Sequence, residues 1–257
     1  MTLSAASITT AFQVATLGGF ALTAVRLYSS GLFRKYRIFF AYLIFSALQS
    51  GICLSLDVRS GAYLRFFILS EPLIWFFYVM VVLELCSLVL DKYRGLYSLG
   101  RWVLYGSVAI SICLSVLTFY IRTPGQLSRL LPYYFVIERG VVCALLIFLF
   151  LILVLLSRLP VRLSRNVVVH SLVYSVFFLV NTLGLLLRSV LGLPVSTWLS
   201  TVQIGITALC VLVWLFFLDP KGEARLVMLA GFGPGQEERI LMKLDALNAT
   251  VLKASGK

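Results

Sequence analysis
The chain predicts an all-α polytopic membrane protein, and three observations carry that prediction. Hydrophobic residues make up 61% of its 257 residues and charged ones 12%, where soluble domains run near half and a quarter. The apolar residues gather into seven runs, each close to the roughly 20 residues that a bilayer-spanning helix needs. Runs such as residues 144–156 are apolar on every face. That excludes a β-barrel, whose strands alternate apolar and polar positions over about ten residues.

The first span is set at residues 8–28. The residues leading into it, 1–10, carry no Lys or Arg, so a retained span is expected rather than a cleaved signal peptide, which needs a basic leader. The next spans are set at 38–56, 66–90, 102–121, 131–156, 167–191 and 197–218. After Asp219-Pro220 the chain leaves the apolar register. The expected organisation is therefore a seven-helix transmembrane domain over 1–218 and a cytoplasmic tail over 219–257.

Loop charges orient the spans. Arg26, Arg34, Lys35 and Arg37, then Lys92, Arg94 and Arg101, then Arg158, Arg162 and Arg165 fall on one side, ten basic residues in all. Arg59, Arg65, Arg122 and Arg129 fall on the other. Excess Lys and Arg marks the cytoplasmic side. The N-terminus is expected outside, the C-terminus in the cytoplasm, and the location is the cell (inner) membrane.

The net charge of +12 is spent on these short loops. No folded soluble face carries a basic patch, so no nucleic acid is expected as a partner. The five cysteines lie in or beside apolar runs without a CxxC pair and read as small packing residues. A single histidine cannot supply a multi-histidine metal or bis-histidine haem site. No cofactor and no metal are expected. Seven spans with an outer N-terminus match rhodopsins and G-protein-coupled receptors in topology alone. The last span holds no lysine for a retinal Schiff base, and the inner end of the third reads Asp91-Lys92-Tyr93-Arg94.

Polar residues inside spans are costly and usually face the bundle interior. Gln13, Gln49, Glu71, Glu138, Arg139, Asn181, Arg188 and Gln203 all fall in the outer half. Asn181 and Arg188 are seven apart and share a helical face. Pro72, directly after Glu71, frees the carbonyl of Ile68. These residues predict a polar cavity toward the outer face, with Glu71 paired to Arg139 or Arg188. The candidate ligand-binding set is Glu71, Glu138, Arg139, Asn181, Arg188 and Gln203, for a small polar or cationic ligand. The competing reading is a structural hydrogen-bond network, with Arg188 snorkelling to the interface. A second pair, Glu84 and His170, lies at similar depth toward the inside. It reads as a proton relay or as a packing pair. No catalytic residues are expected.

In the tail, Ile240, Leu244, Leu247 and Val251 form one apolar seam over residues 236–253. This amphipathic helix would bind a partner or a second copy of the chain, or lie on the inner leaflet. The function expected is a non-enzymatic sensor-like, receptor-like or partner-binding module. The alternatives are a small-solute transporter, a subunit of a larger membrane complex and, less favoured, a lipid-modifying enzyme.

Overall fold
The computed structural model describes residues 5–57, 60–90, 106, 131–157, 162–191, 193–228, 242 and 246. The expected fourth span (102–121) and the tail helix (236–253) lie outside the described residues, apart from the single positions Gly106, Met242 and Ala246.

Among the described residues six long helices dominate: α1 (Ala5–Ser29), α2 (Arg37–Ser55), α3 (Gly61–Leu90), α4 (Leu131–Ser157), α5 (Arg165–Leu191) and α6 (Leu193–Phe217). Each holds a stretch long and apolar enough to cross a membrane. The protein is a helical, multi-pass membrane protein. These helices answer the first, second, third, fifth, sixth and seventh expected spans. The largest boundary shift is at α3, which begins at Gly61 rather than Phe66. Ser60 explains it: its hydroxyl accepts the Tyr63 N–H at 3.1 Å, satisfying a donor of the first turn. At α6, Pro194 lies in the first turn, where its missing N–H costs nothing.

The helices form a ring. Each packs on the next in chain order, and α6 returns to α1. A contact between α3 and α5 fills the middle. The interior is built from rings, with Phe39, Tyr42, Tyr174, Phe178 and Trp214 essentially fully buried. The outward face is apolar as well: Leu69 is 75% exposed and Phe216 67%. Such a surface would be a large apolar patch in water. In lipid it is the solvated face, and helices with internally satisfied backbones are the form that tolerates it.

Small residues let α1 and α6 approach closely. A Cβ on Gly19 would lie 2.7 Å from Val211 Cγ1, and one on Gly205 would press on the Phe12 ring at 3.3 Å. Thr9 and Thr201 share a hydroxyl hydrogen bond of 2.8 Å across the same seam. Arg26 donates to the Leu215 carbonyl at its far end.

The end of the bundle that carries the α1–α2 connection is clasped by short elements the sequence did not suggest. Strand β1 (Arg162–Ser164) pairs antiparallel with β2 (Leu226–Met228), with Leu163 opposite Val227. Between α6 and β2 lies a single helical turn, α7 (Pro220–Ala224). Its Glu223 accepts hydrogen bonds from Tyr36 Oη at 2.6 Å and Asn166 Nδ2 at 2.9 Å, and pairs with Lys35. Asn166 Nδ2 also donates to the Asp219 carbonyl at 2.8 Å. Gly222 makes room, since a Cβ there would collide with the Asn166 amide.

Candidate functional site
A cavity of about 500 Å³ lies inside the ring. All six long helices supply its wall. Helix α1 gives Thr10, Gln13 and Thr16; α2 gives Ser46, Gln49 and Ser50; α3 gives Glu71. Glu138 comes from α4, Asn181 from α5 and Thr207 from α6. Leu56 and Tyr63 place one end of the cavity at the α2–α3 connection. Phe20, Tyr42, Tyr78 and Phe177 line its other end. Beyond them lies the buried cluster of Phe39, His170, Tyr174 and Trp214, with Phe39 6.1 Å from Tyr174 and 5.0 Å from Trp214 between ring centroids.

The cavity-wall carboxylates have separate surroundings. Gln49 Nε2 donates to Ser70 Oγ at 3.0 Å and to Glu71 Oε1 at 3.4 Å. No arginine pairs with Glu71 among the described residues, so the expected Glu71 pairing with Arg139 or Arg188 is replaced by a Gln49 contact. Helix α3 runs on through Pro72. Glu138 instead feels the charge of Arg188, and Glu71 and Glu138 feel each other across the cavity.

Three of the candidate ligand-binding residues, Glu71, Glu138 and Asn181, therefore share one wall with Gln13 and Gln49. The other three do not line it. Arg188 donates to Ser200 Oγ at 3.0 Å and to Gln203 Oε1. Gln203 Nε2 in turn reaches Asn181 Oδ1 at 3.5 Å. This ladder ties α5 to α6 just beyond the cavity, so Arg188 is held by α6 rather than extended to the interface. Gly184 admits it: a Cβ there would strike the Gln203 amide. Arg139 is buried on α4 and lines neither the cavity nor the ladder.

Glu84 and His170 do not meet. The Glu84 carboxylate accepts the backbone N–H of Ile38 at 2.9 Å and of Phe39 at 3.1 Å. It caps the first turn of α2 from a neighbouring helix, where Tyr36, the residue at the cap position, makes no side-chain cap bond. Depth along the helix axis suggested the pairing with His170; the direction around the axis decided against it. His170 is fully buried, and among the described residues neither ring nitrogen has a hydrogen-bond partner. Its ring lies edge-on to Phe39 at 4.3 Å and to Tyr174 at 5.0 Å. Among the described residues the two side chains thus have separate surroundings, Glu84 on the backbone of α2 and His170 among rings.

Sequence reasoning passed over the hydroxyl residues of the wall. Serine and threonine are common in membrane helices and often bond their own backbone. Thr16 does so, to Phe12 O at 2.7 Å, as does Thr207, to Gln203 O at 2.9 Å. The one available signal was register, since Ser46, Gln49, Ser50 and Cys53 recur at three and four residues on α2. Lys35, Tyr36, Asn166 and Glu223 of the clasp carried no local signal. Outside the membrane spans, burial alone would raise the Glu223 carboxyl. The hydrogen bonds from Lys35, Tyr36 and Asn166, with the charge of Lys35, outweigh it and hold the group below the usual carboxylate range.

No group of three or more His, Cys, Asp or Glu side chains is placed to hold a metal among the described residues. No family model, no characterised relative and no solved structure matches the chain.

Proposed function
We propose that the protein is a non-enzymatic, sensor-like or receptor-like module of the cell membrane that binds a small polar ligand from outside and signals through its tail. The observation that carries this reading is a polar cavity assembled from six helices that ends at an aromatic layer. A binding site that receives a ligand from one side needs that shape. A carrier needs a polar route to the opposite face as well. Glu71, Glu138 and Asn181 are the proposed ligand contacts, with Gln13 and Gln49 beside them. Gln203 and Arg188 support Asn181 from behind.

The proposed topology has seven spans, an outer N-terminus and a cytoplasmic C-terminus. Two arguments support it. The loops at the clasped end hold the excess of basic residues. Helix α3 ends near α2's first turn, which its Glu84 caps, whereas Glu138 near the start of α4 shares the far-end cavity with Glu71. That parity supports the proposal of a further crossing between α3 and α4. Residues 236–253 are the proposed cytoplasmic helix for a protein partner or a second copy of the chain.

The test is sidedness of access. In a chain freed of its native cysteines, Ser50→Cys is exposed to a membrane-impermeant maleimide, first on intact cells and then on inside-out vesicles. Labelling from the outside alone is expected. Labelling from both sides favours the transporter reading, and labelling from the inside alone removes the outer pocket.

A further inference from the structure
We infer that the cavity is built for an organic monocation, a protonated amine carrying an apolar body; this deepens the reading of the cavity as a ligand site and rests on it. Among the described residues the wall contains two carboxylates, Glu71 and Glu138, and no Lys, Arg or His. Arg188 lies outside the wall, within electrostatic reach of Glu138. Glu71 has a neutral amide, Gln49, as its hydrogen-bond partner. Among the described residues one negative charge is thus left without a counter-charge in a membrane interior. Carrying it there is costly unless a cation or a proton joins it.

The remaining wall says what kind of cation. Small, hard metal ions want six or more oxygen ligands drawn close together. Here the carboxylates stand among rings, with Tyr63 and Phe67 toward one end and Tyr78 and Phe177 toward the other. Aromatic faces attract organic cations and cover their apolar parts. A volume of about 500 Å³ falls within the range of small-molecule sites, roughly 300–1,000 Å³. Ser46 lines the same wall, with its hydroxyl beside that of Tyr42. An ammonium N–H would donate to Glu71, which a quaternary ammonium could not.

Native Cys53 lines the same cavity and serves as the probe. A chain keeping that cysteine alone (Cys86→Ala, Cys113→Ala, Cys143→Ala, Cys210→Ala) is placed in nanodiscs. Its reaction rates with aminoethyl (cationic), sulfonatoethyl (anionic) and methyl (neutral) methanethiosulfonate are divided by the rates with a free thiol. A focused negative field favours the cationic reagent over the anionic one by about tenfold or more. In Glu71→Gln that preference is expected to fall several-fold while the neutral rate stays unchanged. Equal cationic and anionic rates beside a fast neutral rate would overturn this inference and leave the ligand site standing. A neutral reagent that modifies Cys53 only after unfolding would overturn both. If the four substitutions cost the fold, peptide mass mapping of Cys53 in the unaltered chain reads the same rates.

Discussion

Tyr36 donates its phenolic hydrogen bond to Glu223 at 2.6 Å, joining residues 187 apart in sequence. Through that bond the α1–α2 connection holds the turn that leads out of α6. Hydrogen bonds to a charged acceptor are worth about 1.5–3 kcal/mol when they are well made. Tyr36→Phe keeps the ring and removes the donor, and Lys35 and Asn166 still serve Glu223. The expected cost is about 1–2 kcal/mol, read as a lower midpoint of thermal unfolding in detergent. An unchanged midpoint would show that the clasp bears no load.

The same carboxylate predicts a pH dependence. Glu223 is held below its ordinary range in the folded state, chiefly by the hydrogen bonds that overcome its burial. A depressed folded value contributes stability above the unfolded value of about 4.3, and that stability is lost as pH falls through the folded value. Wild type should therefore exceed Glu223→Gln in stability by a constant margin from neutral pH down to about 5. Below about pH 4 the margin should close. A margin that widens on acidification would mean that Glu223 is not the charged member of the clasp.

Glu84 and His170 are separable by mutation. Glu84→Ala leaves the Ile38 and Phe39 N–H groups without their acceptor. Each buried orphan donor costs about 1–3 kcal/mol. His170→Phe keeps an aromatic ring in an aromatic box and removes two nitrogens that make no hydrogen bond among the described residues. It should be neutral or stabilising. A loss of stability or response shared by both variants, and not increased in the double variant, would restore the Glu84–His170 pair that the geometry denies.

The helices were legible because lipid leaves few options. Any segment that crosses must be apolar and must satisfy its own backbone, so composition alone located six of them to within a few residues. The cavity was legible in part for a related reason. Glu71, Glu138 and Asn181 are too costly to face lipid, so they turn inward and line one cavity. Their partners were not legible. Counting residues along a helix gives depth, and depth placed Glu84 level with His170. It does not give azimuth, and azimuth aimed Glu84 at the backbone of α2. The clasp was hidden for a different reason. Asn166 and Glu223 are ordinary polar residues beside a membrane edge, and only the fold brings them to 2.9 Å.

Gly19 offers a test of the α1–α6 seam. The Val211 side chain it faces is β-branched and stiff, so it has few ways to yield. Gly19→Ala puts a Cβ 2.7 Å from Val211 Cγ1 and should cost about 1–3 kcal/mol by overpacking. Val211→Ala in the same chain should recover part of that loss. If Gly19→Ala is neutral alone, the two helices are not in their closest contact there.

Arg188 and Gln203 give a prediction that joins stability to the charge of the cavity. Hydrogen bonds between membrane helices are worth about 0.6 kcal/mol on average and up to about 1.7. Arg188→Leu removes those to Ser200 and Gln203 together, so a loss of about 1–3 kcal/mol is expected. Gln203→Leu alone should cost less, and the double variant less than the sum, because the two share one bond. The electrostatic consequence runs the other way. Arg188 is the cation whose charge Glu138 feels, and without it the cavity holds a second carboxylate lacking a counter-charge. The preference of Cys53 for the aminoethyl over the sulfonatoethyl reagent should then rise in Arg188→Leu, while it falls in Glu71→Gln. A fall in both variants would mean that Arg188 does not balance Glu138, and that the cavity's charge is set by Glu71 alone.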